Sequence, residues 1–218
     1  MFIGHFGIGF GAKAAAPRVS LGTLFLAAQF LDLLWPTLLL LGMETVRIAP
    51  DAHSITPLVF EHYPISHSLL GAIGWSAAVG VLYGWLRKDW RGAWLVGALV
   101  VSHWLLDAVV HLPDLPLYPG SETFAGMGLW ASLPLTLAVE LPLFLLGVWL
   151  YARSTQAVNA KGKWGFVALV GFLLLVHAGN LFAEPPPSAE AIAWVGQSQW
   201  LLVLWAYWVD RHRRVGRR

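Results

Sequence analysis

Long runs of apolar residues alternate with short polar or proline-rich links along most of the chain. A helix needs roughly 20 mainly apolar residues to cross a bilayer, and six runs reach that length. One link, at 43–66, is much longer than the others, and long loops often carry function. We therefore predict an all-α, polytopic membrane helical bundle with six transmembrane helices, at 20–42, 67–86, 93–112, 128–151, 164–182 and 191–209.

The N-terminal segment has a shorter apolar run, about a dozen residues before Lys13, which is too short to span a bilayer comfortably. No positive charge precedes the run, so we favour a short N-terminal membrane helix over a signal peptide. Pro17 would turn the chain after it. We see no internal repeat and treat residues 1–218 as a single membrane domain. Glycines at GxxxG spacing predict close helix packing: Gly7 with Gly11, and Gly80 with Gly84.

The composition supports a membrane protein and excludes several other classes. Hydrophobic residues make up 57% of the chain and charged residues only 12%, with a mean hydropathy of +0.63. Soluble domains carry about 25% charged residues, so an ordinary soluble enzyme, a disordered segment and a soluble nucleic-acid-binding module are excluded. The absence of cysteine removes disulfides, thiolate ligands and cysteine nucleophiles.

The positions of the charges predict the orientation in the membrane. If the first span starts in the cytoplasm and later spans alternate, 13 of the 14 basic residues are cytoplasmic and only Arg47 lies outside, as the positive-inside rule predicts. The cytoplasmic set is Lys13, Arg18, Arg87, Lys88, Arg91, Arg153, Lys161, Lys163, Arg211, Arg213, Arg214, Arg217 and Arg218. The outer links hold Glu44, Asp51, Glu61, Asp114, Glu122, Glu184 and Glu190. The C-terminus is then cytoplasmic, and its arginine-rich tail is interpreted as an anchor near anionic lipid, without nucleic-acid binding.

Several ionisable residues fall at membrane depth, where each costs about 2.5 to 3.5 kcal/mol on insertion scales. His103 and Asp107 are four residues apart on one predicted helix, so their side chains lie one above the other. With a rise of 1.5 Å per residue, these two lie about 15 and 21 Å above residue 93. His5 and Asp32 reach about 18 Å in their own segments, and His67 begins its span from the outer face.

A mixed cluster of histidine and carboxylate without cysteine is the ligand set of hydrolytic Zn²⁺, Mn²⁺ or Fe²⁺ sites. A bound divalent ion lowers the pKa of its water and makes a nucleophile at neutral pH. A small transporter or permease would use the same groups for ion or proton coupling, but such proteins favour broken helices in two related halves, and the sequence shows no matching halves. A non-catalytic membrane scaffold is the third alternative.

The ordered motifs of the first 120 residues carry a resemblance to a known family. The segment His62-Tyr63-Pro64-Ile65-Ser66-His67-Ser68-Leu69 opens one span, and Ser102-His103-Trp104-Leu105-Leu106-Asp107 follows in the next. Together with His5 and Asp32, these motifs resemble the bacterial inner-membrane metal-dependent hydrolases, a family long described as a domain of unknown function. That family is distantly similar to zinc-dependent phospholipase C and related nucleases.

The resemblance implies an enzyme of the bacterial inner membrane that hydrolyses a lipid-like or phosphoester substrate among membrane lipids, with zinc as the favoured cofactor and manganese or iron as alternatives. His62 and Asp107 are its catalytic candidates. The resemblance covers 1–120, the half with the metal-site motifs, and 121–218 adds further transmembrane helices. The implied metal ligands are His5, Asp32, His62, His67, His103 and Asp107.

The chain departs from the family pattern after His62, where Tyr63 and Pro64 replace an arginine and a glycine. The missing arginine would suit phosphate binding, and Arg47 is either its substitute or, more typically, an ordinary loop arginine. Glu61, beside His62, is either a general base or outer partner of the site or, more typically, a solvated loop residue. No serine-hydrolase elbow or nucleotide-binding loop is present.

Five polar residues outside the motifs are further candidates. His111 and Asp114 either line the entrance of the site or are ordinary polar residues. Glu140 either orients a ligating imidazole or is a protonated structural group. His177, with Asn180 three residues later, is more typical of an interhelical hydrogen bond.

Overall fold

The computed structural model describes residues 1–50, 54–182 and 184–216. The predicted outer position of Asp51 and the predicted cytoplasmic positions of Arg217 and Arg218 lie outside the described residues. The helices are α1 (Ile3–Ala15), α2 (Leu21–Ala28), α3 (Phe30–Leu40), α4 (Pro64–His67), α5 (Leu69–Arg87), α6 (Trp90–Val110), α7 (Leu133–Ser154), α8 (Ala160–Phe182), α9 (Ala189–Gln197) and α10 (Gln199–Arg211). The mostly helical class predicted from the apolar runs is confirmed.

The described part of the chain also contains three antiparallel strand pairs, which the apolar pattern does not predict. Their strands are β1 (Thr45–Ile48) with β2 (Leu58–His62), β3 (Leu115–Pro116) with β4 (Phe124–Ala125), and β5 (Thr155–Ala157) with β6 (Arg213–Val215). Each strand lies outside the long helices. The pairs satisfy backbone hydrogen bonds in segments that would otherwise be irregular loops.

Among the described residues, four helices are long and apolar enough to cross a membrane, namely α5, α6, α7 and α8. The pair α2 and α3 makes a fifth if its two helices, bent by 57°, count as one span. The sixth predicted span is interrupted at Ser198, whose hydroxyl and amide both bond to the Val195 carbonyl and end α9 there. The predicted count of six spans is therefore not confirmed.

The short helix α1 lies within the bundle. Phe6 and Phe10 of α1 contact Phe25 of α2 with ring centroids 5.0 and 4.8 Å apart, and Phe10 also contacts Phe144 and Tyr151 of α7. All five rings are fully buried. A 13-residue helix is about 20 Å long, shorter than the roughly 30 Å hydrocarbon core, and α1 is held by this packing.

Close approach of α1 to α7 requires glycine on both helices. A Cβ atom on Gly147 would overlap the carbonyl group of Gly7, and one on Gly7 would lie 2.7 Å from the Cα atom of Phe144. Gly80 meets α6 in the same way, with its Cβ position 3.1 Å from the Ala93 carbonyl oxygen. The packing role predicted from the GxxxG spacing is confirmed at both crossings.

We expect Gly147→Ala to destabilise the protein by about 1–3 kcal/mol, because the added methyl group forces α1 and α7 apart. The matched control is Gly171→Ala in α8, where nothing lies within 4 Å of the Cβ position. That control should leave stability unchanged or raise it by up to about 1 kcal/mol, since alanine favours helix. Thermal unfolding of the purified protein in detergent measures both. Equal melting temperatures for the two variants would contradict the close crossing.

Candidate metal centre

The helix α6 supplies two neighbouring ligand candidates. His103 and Asp107 lie one turn apart, as their spacing predicts, and both are buried. The Nε2 atom of His103 lies 3.1 Å from Oδ2 of Asp107. A buried imidazole and a buried carboxylate therefore form the base of the centre.

A break between two helices orients the His103 ring. Gln29 separates α2 from α3 with φ −105° and ψ 9°, and the two helices diverge by 57°. At this break the carbonyl oxygen of Ala28 accepts a hydrogen bond from Nδ1 of His103, at 2.7 Å. Because a carbonyl can only accept, Nδ1 carries the proton. The Nε2 atom then faces the centre, buried and without a hydrogen-bond partner in the described part of the chain.

Two further candidates, Asp32 of α3 and His67 at the end of α4, complete a ring of four side chains. Nε2 of His67 lies 3.5 Å from Oδ1 of Asp32 and 3.7 Å from Oδ2 of Asp107. Nε2 of His103 lies 3.6 Å from the same Asp32 oxygen. Two imidazole nitrogens thus alternate with two carboxylate oxygens in a ring, in which the ligand atoms of Asp32, His67 and His103 lie within 4.8 Å of one another.

A buried carboxylate outside the ring orients His67. Glu44 accepts hydrogen bonds from the amides of Ile65 and Ser66, both at 2.8 Å, and from the Ser66 hydroxyl at 2.6 Å. The Ser66 oxygen in turn lies 2.7 Å from Nδ1 of His67. Since the hydroxyl proton is donated to Glu44, the Ser66 oxygen accepts from Nδ1–H of His67. The Nε2 atom of His67 is then directed towards Asp32 and Asp107.

The N-terminal candidate, His5, joins the centre from α1. Its Nε2 lies 3.0 Å from Oδ1 of Asp107, and its ring stacks on that of His103 with centroids 3.7 Å apart. The ammonium group of Met1 also contacts Oδ1 of Asp107. The structure therefore contains two groups of three ligand atoms within 4.8 Å of one another, His5 with His103 and Asp107, and Asp32 with His67 and His103.

The members of the centre differ in exposure. The side chain of Asp32 is 24% exposed, whereas those of His5, His67, His103 and Asp107 are at most 5% exposed. Asp32 therefore marks the side from which the centre is reached.

The structure does not bring His62, the remaining predicted ligand and catalytic candidate, to the centre. His62 is exposed at the end of β2, paired with Thr45, and belongs to neither group of ligand atoms. The chain changes from strand to helix between His62 and His67, so the two side chains leave the backbone in different directions. The spacing of His62 and His67 along the sequence does not reveal this change from strand to helix.

Tyr63, the residue after His62, is buried and donates a hydrogen bond to Oδ1 of Asp114 at 2.9 Å. Burial and this carboxylate hold the pKa of the Tyr63 phenol well above its usual range. Nδ1 of His111 lies 2.9 Å from the same Asp114 oxygen, and the buried His111 ring packs on Trp130 with centroids 4.1 Å apart. These residues form a polar network beside His67, with Asp114 partly exposed.

The other candidates lie outside the centre. Arg47 and Glu61 form an exposed ion pair across the β1–β2 hairpin, at 2.9 Å. Glu140 is buried and accepts the Phe2 amide at 3.0 Å. His177 is buried in α8, whereas Asn180, one turn later, is exposed.

Sequence reasoning missed the groups that orient the two imidazoles. Glu44 lies 22 residues from Ser66, in a link where an acidic residue is expected on topological grounds alone. The Ala28 group is a backbone carbonyl, which has no residue-type signal. The adjacency of Ser66 to His67 is the only local clue.

Comparisons of the chain with protein-family models, curated proteins and solved structures gave no match. The centre is therefore interpreted from its own geometry.

Proposed function

We propose that the protein is a membrane-embedded, metal-dependent hydrolase whose centre holds at least one divalent ion between Asp32, His67, His103 and Asp107. The observation that carries the proposal is the ring of four N···O separations, from 3.1 to 3.7 Å. Ligands of a tetrahedral zinc ion lie about 3.4 Å apart, given bonds of about 2.0 to 2.1 Å. The donor set therefore fits zinc best, with manganese and iron as alternatives.

The orientation of the two histidine rings supports a metal-binding role. With Nδ1 engaged in both rings, Nε2 of each ring is the atom that faces the carboxylate oxygens and could bind a cation between them. The partners of Nδ1 are a backbone carbonyl for His103 and a serine linked to Glu44 for His67. Metal-ligating histidines are usually held in this way.

Asp107 offers its two oxygens to different partners. Oδ2 faces His67 and His103, and Oδ1 faces His5 and the ammonium group of Met1. An ion beside Oδ1 would take the place of that ammonium group, and Asp107 would then be shared between two ions, as in two-metal hydrolytic sites. His5 is then the additional ligand for a second position.

When bound, a divalent ion would supply a nucleophile by lowering the pKa of a water molecule and would polarise the scissile group of the substrate. The protein contributes position and exclusion of water, because four of the five side chains are almost fully buried and Asp32 alone is accessible. The apolar surroundings favour a lipid-like substrate, and the family resemblance favours a phosphoester.

One observation favours the alternative of a transporter. The two interrupted helices, α2–α3 and α9–α10, pack against each other, and Nε2 of Gln199 donates to the Asp32 carbonyl at 3.4 Å. Paired broken helices beside ionisable groups are typical of ion-coupled transporters. The experiments below separate the two functions.

The first prediction concerns metal content. The purified protein should contain about one ion per chain or more, and Asp107→Asn or His103→Ala should remove it, because each change deletes a donor of the ring. His177→Ala, which removes a buried histidine outside the centre, is the matched control. Elemental analysis of the folded proteins measures the number of metal ions per chain. The same low metal content in the unaltered protein and all variants would overturn the proposal.

The second prediction concerns the orienting groups. Ser66→Ala should weaken metal affinity by about 10- to 100-fold, because the His67 ring loses its hydrogen-bonded tautomer. Ser102→Ala is the matched control, since Ser102 also precedes a histidine but bonds the Leu99 carbonyl instead. Competition with a metal chelator, monitored by thermal unfolding, compares the metal affinities of the two variants. Equal affinities for the two variants would contradict the orienting role.

The third prediction concerns turnover. Zinc-loaded protein in mixed micelles should hydrolyse a phospholipid phosphoester, and Asp107→Asn should reduce the rate to background because it removes a shared ligand. A carboxylic-ester lipid serves as the comparison substrate. Metal or proton flux in liposomes without turnover would favour the transporter and contradict the hydrolase.

A further inference from the structure

A second polar feature lies at the other end of the bundle from the loops that hold Glu44. A pocket of about 500 Å³ opens there between α2, α5, α6 and α10. Its volume is within the roughly 300–1,000 Å³ range of small-molecule sites. Three arginines line it, Arg18 before α2, Arg87 at the end of α5 and Arg211 at the end of α10.

The positive charge of this pocket is not compensated by the protein. All three arginines are exposed, and among the described residues none of them forms an ion pair with a carboxylate. The one acidic residue of the lining, Asp210, is already engaged. Its two oxygens contact Nζ of the buried Lys13 at 2.8 Å and the hydroxyl of Tyr151 at 3.1 Å.

The other lining residues are polar next to the arginines and apolar further along the helices. Next to the arginines lies a hydroxyl pair, with Oγ1 of Thr23 and the phenol oxygen of Tyr207 2.8 Å apart. Further along the helices the wall is apolar and includes the half-buried Leu26 and Val79. Val79 precedes Arg87 by eight residues, so the apolar wall extends about 12 Å from the charged rim.

The surrounding surface has the character of a membrane interface. Trp85, Trp90 and Trp94 are 60%, 57% and 83% exposed at the adjoining ends of α5 and α6. Exposed tryptophans at helix ends are typical of the headgroup level of a bilayer. The charged rim is therefore at the depth of lipid phosphates, and the apolar wall is at the depth of acyl chains.

We propose that this pocket is a binding site for an anionic phospholipid, with the phosphate between Arg18, Arg87 and Arg211 and an acyl chain along the apolar wall. Charge complementarity selects the anionic headgroup, and the apolar wall selects a lipid over a free phosphate ion. Basic pockets between membrane helices bind anionic lipid headgroups in this way. The site is separate from the metal centre, since Val96 of its lining and Asp107 are about 16 Å apart along α6. The proposal does not depend on hydrolase activity.

The experiment is native mass spectrometry of the full-length protein in detergent, titrated with phosphatidylglycerol or with phosphatidylcholine of the same chains. The pocket variant combines Arg18→Gln, Arg87→Gln and Arg211→Gln. The control variant combines Arg91→Gln, Arg153→Gln and Arg214→Gln, which removes the same charge from exposed positions outside the lining. All six positions are exposed, so both variants should fold, and thermal unfolding checks this.

We expect the unaltered protein and the control variant to bind phosphatidylglycerol in preference to phosphatidylcholine. The pocket variant should lose affinity for phosphatidylglycerol by on the order of 100-fold, since each arginine near the surface contributes about a factor of five. Glycerol 3-phosphate, which has the phosphate but no acyl chains, should compete poorly. Equal binding of the two lipids, equal affinity of the two variants, or competition by glycerol 3-phosphate at lipid-like concentrations would overturn the proposal.

Discussion

The hydrogen bond from His103 to the Ala28 carbonyl joins the two parts of the protein on which the centre depends. In an unbroken helix the Ala28 carbonyl would accept the amide of residue 32. The break at Gln29 makes that carbonyl available to an imidazole from α6 and turns α3, so that Asp32 faces the same imidazole. One local departure from helical geometry thus sets the tautomer of His103 and the position of Asp32, both candidate metal ligands.

The imidazole of His67 is also held through its Nδ1 atom, but by a side chain and not by a backbone carbonyl. His67 is held through Ser66 by Glu44, a buried carboxylate that also accepts two backbone amides at the start of α4. Burial of Glu44 is costly for a charged group, and three hydrogen-bond donors offset that cost. The carboxylate therefore connects the start of α4 to the orientation of His67.

Close packing of small residues brings the remaining ligand candidate into place. His5 stacks on His103 because α1 lies deep in the bundle, and α1 lies there because Gly7 and Gly147 let two backbones touch. Lipid chains are as apolar as these helices, so van der Waals contact holds α1 in position. At the other end of α1, Lys13 neutralises Asp210, which leaves the surface arginines of that end available to anionic groups.

The sequence alone determined the mostly helical class, the presence of helices long and apolar enough to cross a membrane, the close glycine contacts and the His103–Asp107 pair. These features depend on apolar runs and on spacing within one helix. It also identified His5, Asp32 and His67, whose residue types suit a metal centre. Only the tertiary structure decided that those side chains meet, that His62 does not join them, and that Glu44 and the Ala28 carbonyl orient the imidazoles. These points depend on helix breaks, on changes from strand to helix and on contacts between distant segments. Such features follow from packing in three dimensions, and the periodicity of residues along the chain does not encode them.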